Sequence, residues 1–407
     1  MSYPLSQKGY LFHGATIHTA GEQGVIKSGA LYIEDHKIVW IGPAKDWSKS
    51  HLSPERELDI INCTGEHICP GFIDTHCHLD LGGKPLRSQH QDSNQFAPVM
   101  SPQLRAIDSV SAQNIIFEQA RLAGVTTVCI LPSSPNLING TGVVLKTFGQ
   151  DVETMCLRNP ACLSINFGYK FKETHPQKEQ EPFELMVLAD TLRSAFEGAL
   201  TYETNRLLNP EQTSVDQGKE ILVSALRRDL PIHAQALHRD EISLALRLAS
   251  EFGFQMIIKY GYEWTQAVED FKRLGACLVY GPILRANTLS HEPNLDFTHA
   301  NRLTKAGIRF AQMSDYPFVP MQLFSTQAGL HIRGGLDEQE ALKSITAYPA
   351  VLLGLAHRIG QLKIGLDADL LRLSGPPLEI KTHVIETWLN GSVVVKGVSQ
   401  SHFAKPI

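Results

Sequence analysis

From Phe72 to Met313 the chain alternates short apolar runs with helical patterns, and this alternation limits the fold more than any other feature. Phe72–His78, Val125–Leu131, Leu163–Phe167, Ile232–Ala234, Met256–Tyr260, Cys277–Tyr280 and Ile308–Met313 read as strands. Gln113–Ala123, Glu241–Phe252, Thr265–Leu274 and Thr298–Ala306 read as helices between them. In Glu241–Phe252 the apolar stripe is Ile242, Ala245, Leu246, Ala249 and Phe252, with Gly253 as the cap just beyond. Repeated β-α units over roughly 290 residues predict a parallel sheet, and closure into a (β/α)8 TIM barrel fits that length. The segment from Gly168 to Gln217 is polar and helix-prone, either an excursion over the barrel mouth or an ordinary crossover.

The two chain ends look different from the middle and like each other. Ala15–Ala20, Ala30–Glu34 and Lys37–Ile41 are strand-like, and so are Ala368–Leu373, Thr382–Leu389 and Val393–Val395. Glu34-Asp35-His36 and Asn390-Gly391 are hairpin turns. One small β-sandwich built from both ends is expected, with residues 1–69 and 365–407 flanking a barrel at 70–364. The fold class is therefore α/β, a barrel with a composite β domain.

Composition removes several functions. Of 407 residues, 43% are hydrophobic and 19% charged, with net charge −5. This excludes whole-chain disorder and leaves no dense basic run to track phosphates, so nucleic acid is not the expected partner. No apolar stretch reaches the roughly 18–20 residues of a membrane helix. Met1–Ala20 lacks the pattern of a secretory leader. The seven cysteines form no C-x-x-C pair, which suggests reduced thiols in a cytoplasmic protein. A small-molecule substrate is expected, and self-association is left open.

The strongest local signal is Pro70-Gly71-Phe72-Ile73-Asp74-Thr75-His76-Cys77-His78. Two histidines two apart on a strand share a face. At the C-terminal end of a barrel strand that face looks into the cavity where such barrels do chemistry. Two neutral imidazoles suit a divalent ion, Zn2+ first. His233, ending a strand, and Asp315, following one, could complete a four-residue set. Alone, each would more often be structural: a barrel-end histidine or a helix-capping aspartate.

These runs resemble the metal-dependent amidohydrolase superfamily, the urease- and imidazolonepropionase-related hydrolases. The likeness extends to Gly124-Val125-Thr126-Thr127-Val128 and Gly365-Leu366-Asp367-Ala368-Asp369. Ser101–Asp108 and Ser134–Lys146 look more narrowly like a bacterial subgroup of amidohydrolases. The resemblance implies hydrolysis of a C–N bond in an amide, cyclic amide or amidine by a metal-bound hydroxide. It implies His76, His78, His233 and Asp315 as ligands, with Asp315 also as general base.

The chain departs from that pattern at Ser164, where the subgroup has a bridging lysine, and at Tyr169, where it has a glutamate. Tyr260 stands where a sixth-strand histidine is usual, and Tyr316 follows Asp315 in place of another. One metal is therefore expected, with Lys170 the residue that could recruit a second. Three readings stand: a one-metal hydrolase, a silent relative that binds a ligand, and a mononuclear deaminase. The deaminase reading is weakened because no glutamate follows His233 in Ala234-Gln235-Ala236-Leu237-His238. Lys146, after the glycine-rich Asn139–Gly142, is expected to bind an anionic substrate group or to close a tight loop. His238 is a substrate group or an exposed residue at a helix start. Tyr260 is a phenol donor to substrate or simply a lost ligand.

Overall fold

The computed structural model describes residues 8–53, 56–79, 98–132, 136–168, 184–284 and 296–397. Among the described residues, sixteen strands form two eight-stranded sheets. The first joins both chain ends. It contains β1 (Lys8–His18), β2 (Val25–Glu34), β3 (Lys37–Pro43), β4 (Glu57–Asn62) and β5 (His67–Pro70). The second is the barrel: β6 (Phe72–Cys77), β7 (Val125–Ile130), β8 (Ile138–Lys146), β9 (Cys156–Asn166), β10 (Ile232–Ala236), β11 (Met256–Tyr260), β12 (Cys277–Tyr280) and β13 (Phe310–Gln312). The chain then returns to the first sheet through β14 (Leu370–Leu373), β15 (Val384–Leu389) and β16 (Ser392–Lys396). The first sheet runs β16-β15-β14-β5-β1-β2-β3, with β4 beside β1.

The two ends meet at β5 and β14, which pair antiparallel with Leu371 opposite Cys69. Phe12, Ile17, Leu31, Ile33, Ile68, Leu370 and Trp388 form one buried cluster there. It draws on both ends, so neither end alone has a complete core. Only Gly71 separates β5 from β6. A Cβ on Gly71 would stand 2.1 Å from Thr126 Oγ1, so β6 enters the barrel against β7 only because this residue has no side chain.

The barrel strands run in chain order from β6 to β13. Seven of them are parallel. β8 is the exception, antiparallel to β7 and to β9. The expectation of a wholly parallel sheet is corrected here. Only residues 131–137 link β7 to β8, fewer than the dozen or so a parallel crossover needs. The glycine-rich Asn139–Gly142, expected as a loop, lies inside β8. Gly140, at φ +109, would bring a Cβ within 2.4 Å of the Leu104 carbonyl oxygen.

Helices cover the barrel. Arg239–Phe252 buries Ile242, Leu244, Ala245, Leu246, Leu248 and Ala249, and ends at Gly253 in the left-handed region. Leu185–Leu208 buries Leu188, Leu192 and Phe196 in the same cluster as Ile232 and Ile242. That helix is thus a crossover between β9 and β10, and the excursion reading is set aside for it. Residues 169–183 lie outside the described residues.

The barrel closes between β13 and β6. Thr75 Oγ1 donates to the Gln312 carbonyl at 2.7 Å, and Asp315 N donates to the His76 carbonyl at 3.1 Å. His78 N donates to the Tyr316 carbonyl at 3.0 Å. These hydrogen bonds, one from a side chain and two between backbone groups, bring the first and last barrel strands' exits together.

Candidate metal centre

Closure of the barrel sets Asp315 against the histidine pair. His76 Nε2 lies 3.3 Å from Asp315 Oδ1, and His78 Nε2 lies 3.6 Å from the same oxygen. The two imidazoles meet nearly edge to face, with centroids 4.8 Å apart. His76 and Asp315 are buried, and His78 is 14% exposed at its side chain. Cys77, between the histidines, turns the other way into a cluster with Phe72, Val125 and Ile130. The site is thus open to solvent on the His78 side.

Proton placement makes this group electron-rich. His78 Nδ1 is 2.9 Å from the Leu131 carbonyl oxygen, which can only accept. Nδ1 therefore carries a proton, and Nε2 faces Asp315. Burial holds His76 well below the ordinary histidine range, reinforced by the positive charge of Lys259. A neutral His76 brings no net charge to set against the carboxylate. His76 Nδ1 has no hydrogen-bond partner among the described residues. Two imidazoles and a carboxylate oxygen converging at this spacing are a donor set that fits a divalent cation.

The surroundings fix the carboxylate. Tyr260 Oη donates to Asp315 Oδ2 at 2.8 Å, and the Tyr260 ring lies 6.2 Å from that of His76. Asp74 accepts from Ser314 N at 3.1 Å, from His76 N at 3.2 Å and from Ser314 Oγ. Burial, with the charge of Asp315 adding to it, pushes Asp74 up to about 7 despite those hydrogen bonds. Asp74 thus locks both the strand carrying His76 and the segment carrying Asp315.

Tyr260 and Asp315 both have positive φ, +69 and +50. Residues without a glycine's freedom are uncommon there, and such strain gathers at functional sites. At Tyr260 the turn has a direct effect. Lys259 reaches Ser164 Oγ on β9 at 3.5 Å, while the next residue, Tyr260, reaches Asp315 beyond β13. Each crosses two strands from β11, a path only the interior offers. Normal alternation would have sent one of them outward. Lys259, buried, was not expected at the site. Its signal was a lone cation in the apolar run Met256-Ile257-Ile258-Lys259-Tyr260.

The other expected residues fall elsewhere. His233 pairs in register with Ser164 on β9 and Ile257 on β11. Its ring falls into a different donor group, with Cys162 and Cys129. Within 4.8 Å of one another, His76, His78 and Asp315 form one such group, and His233 lies in the other. Burial alone would raise the Cys162 thiol, but hydrogen bonding with Cys129 and the proximity of His233 and Lys259 hold it well below the usual range.

Lys146 is also corrected. It ends β8, the reversed strand, so it emerges at the barrel end opposite the mouth. There its Nζ meets Asp367 at 2.9 Å, Asp369 at 2.7 Å and Asn390 Oδ1 at 2.5 Å. It is a buried tie to the first sheet, not a substrate contact. His238 stands at the start of Arg239–Phe252, half-buried, with Nδ1 3.5 Å from Glu263. Arg105 and Asp108 form an exposed ion pair. Tyr169 and Lys170 lie outside the described residues.

The chain is similar to known proteins over most of its length. Residues 224–395 match the amidohydrolase family named Amidohydro_3. The chain is 25% identical to an imidazolonepropionase of Colwellia psychrerythraea, over 85% of each chain. It is 22% identical to Amidohydrolase tasK of Hapsidospora irregularis, matching 82% of this chain but spanning only 37% of that protein. The crystal structure of an amidohydrolase from Thermotoga maritima superposes with a TM-score of 0.88 at 29% identity, covering 95% of this chain and all of that one.

Proposed function

We infer that this chain, a divergent member of the amidohydrolase superfamily and a hydrolase of C–N bonds, acts on an amide, cyclic amide or amidine of a small molecule with one divalent metal at its catalytic centre. The observation that carries the reading is the meeting of two imidazoles with one carboxylate oxygen: His76 Nε2 lies 3.3 Å and His78 Nε2 3.6 Å from Asp315 Oδ1. A cation placed between them would be ligated by all three. The metal would be held by His76, His78 and Asp315. Zn2+ suits two imidazoles and a carboxylate. When bound, such an ion supplies Lewis acidity and makes a water acidic enough to lose a proton near neutral pH.

The chain's own groups divide the remaining work. Asp315 is the proton acceptor, since Oδ2 is a carboxylate oxygen already shaped to share a proton with Tyr260. It passes that proton to the leaving nitrogen. Tyr260 fixes the carboxylate and presents a phenol to the cavity. The partly exposed edge of His78 marks the side from which a substrate enters. A second metal beside His76 is disfavoured because Lys259 Nζ meets Ser164 Oγ, where the resemblance implied an anionic bridge. His238 is not assigned a role. No helix among the described residues is long and apolar enough to cross a membrane.

The test is a turnover screen of cyclic amides, amidines, N-acyl amino acids and dipeptides with the zinc-loaded protein. Hydrolysis by the natural protein, at least about 10²-fold reduced in Asp315→Asn, supports the reading. Equal rates in both overturn it.

A further inference from the structure

Three neighbouring strands place a row of nitrogen donors on the inner face of the barrel. Asn166 of β9 pairs in register with Gln235 of β10, and Gln235 with Lys259 of β11. Neighbouring strands lie about 4.8 Å apart, so side chains of one row that share a face can touch one ligand. Packing settles which face is outward. Leu163, Ile165 and Phe167 of β9, with Ile232, Ala234 and Ala236 of β10, join the cluster that holds Leu188, Phe196 and Ile242 of the covering helices. Alternation then sends Asn166 and Gln235 inward. Lys259 reaches Ser164 Oγ at 3.5 Å across β10, which places its ammonium inside as well.

Asn166 spends one end of its amide on the fold and keeps the other. Its Oδ1 accepts from Gly168 N at 2.8 Å, which sets the orientation of the amide. Nδ2 is then a donor turned away from that N–H. Asn166 is 1% exposed, and Nδ2 has no hydrogen-bond partner among the described residues. A buried amide donor ordinarily finds an acceptor. Lys259, also buried, brings a full positive charge to the same row. That charge helps to hold His76 neutral, so the row lies beside the catalytic centre.

We propose that Asn166, Gln235 and Lys259 bind a carboxylate of the substrate, so that the molecule hydrolysed carries an anionic group near its scissile C–N bond. What is bound follows from the hydrolytic reading above, and where it is bound follows from the row. A carboxylate has two oxygens that only accept, and the row answers with an ammonium and two amides that can donate. Charge-assisted hydrogen bonds of this kind are stronger than neutral ones, and burial strengthens them further. A carboxamide in the same place would lose the charge and would turn its own N–H groups against these donors. The row therefore separates acids from amides. It favours N-acyl amino acids, or cyclic amides that bear a carboxylate, over neutral amides and amidines.

The probes are levulinate and hexane-2,5-dione, which differ by a carboxylate against a methyl ketone. Neither contains a C–N bond, so binding is read without turnover. Ligand-observed NMR titration of the full-length, zinc-loaded protein is expected to show levulinate bound at least about 10-fold more tightly. Lys259→Met that keeps its zinc should lose most of that preference. Asn166→Asp sets a negative charge in the row, and should weaken levulinate by about 10-fold while leaving the dione unchanged. No preference in the natural protein overturns the proposal. So does a preference that survives in Lys259→Met, as zinc alone holding the carboxylate would give. Should Lys259→Met fail to fold or to hold zinc, Asn166→Asp decides, and unchanged levulinate affinity in it overturns the assignment. Acid preference without turnover in the substrate screen sinks the hydrolytic reading and leaves the row standing. Turnover without acid preference sinks the row alone.

Discussion

The Tyr260 hydroxyl and the Asp315 carboxylate, carried two strands apart in the barrel, share a 2.8 Å hydrogen bond on Oδ2, while the two histidines face Oδ1. The carboxylate is divided between a fixing side and a ligating side. That division depends on the positive φ of Tyr260, which turns the side chain inward directly after an inward Lys259.

Tyr260→Phe removes the hydroxyl and leaves the ring. Loss of a group that orients a ligand typically costs about 10–100-fold. The expected result is a fall of that size in kcat with metal content near that of the natural protein. The acidic limb of the kcat/KM profile should move to higher pH, because Asp315 loses a donor that favours its charged form. Unchanged kcat with a raised KM would make Tyr260 a substrate contact only.

Asp315→Asn is the sharper change, since it removes both a ligand and the proton acceptor. Turnover should fall by at least about 10²-fold and metal content should fall with it. Thermal stability in the presence of chelator is the control: the natural protein loses Tm on chelation, and the variant should show a smaller loss.

Much of this was legible in the sequence because it rests on local pattern. His76-Cys77-His78 on a strand needs only period two to put both rings on one face. Gly253 needs only its place after a helical stripe. The strand-rich ends announced a shared sheet, because both differ in pattern from the β-α middle. What the sequence did not show was set by register across the barrel. His233 was expected to end its strand, but β10 runs on to Ala236, and His233 lies near its start, opposite Ser164 of β9. Lys146 was misread because β8 was taken as a loop. The Asn-Gly-Thr-Gly composition argues for a turn, and packing against Leu104 and Cys162 makes it a strand instead. Cys129 and Cys162 are far apart in sequence, and only closure around Gly142 brings them together.

Acid should destabilise the fold in a window set by buried histidines. Burial, with His67 nearby, lowers His18 to about 4; burial also lowers His331 to about 4, opposed by its contact with the Phe297 carbonyl. Both folded values lie below the ordinary value near 6.5. Between about 6.5 and 4 the unfolded chain therefore binds protons that the fold refuses, and stability falls as pH drops through that range. Above about 6.5 these two groups contribute no pH dependence. Each contributes up to about 3 kcal/mol across the full window. Thermal unfolding of the natural protein and His331→Gln at several pH values checks this. The variant should show a shallower decline, and equal slopes would discharge His331 from the effect.

Lys146→Met tests the reassignment of that lysine. Its ammonium is buried against Asp367 and Asp369, and Asp367 also meets Lys37 and Arg358. Although burial alone would raise it, the positive charges around Asp367, Lys146 foremost, hold it down to about 2. A carboxylate held that low adds stability above the unfolded value near 4, and that stability is lost as pH falls toward 2. Removing one partner of a buried pair costs about 3–5 kcal/mol, because it strands the other charge. Asp367 keeps two cations and Asp369 keeps the Asn390 backbone N–H, so a loss near the lower end, about 3 kcal/mol, is expected in denaturant unfolding. The cluster sits at the barrel end remote from His76, so KM for any substrate found should stay within about twofold of the natural value below the melting temperature. A large rise in KM with unchanged stability would return Lys146 to the substrate site. Loss of stability with unchanged KM would fix it as the tie between barrel and first sheet.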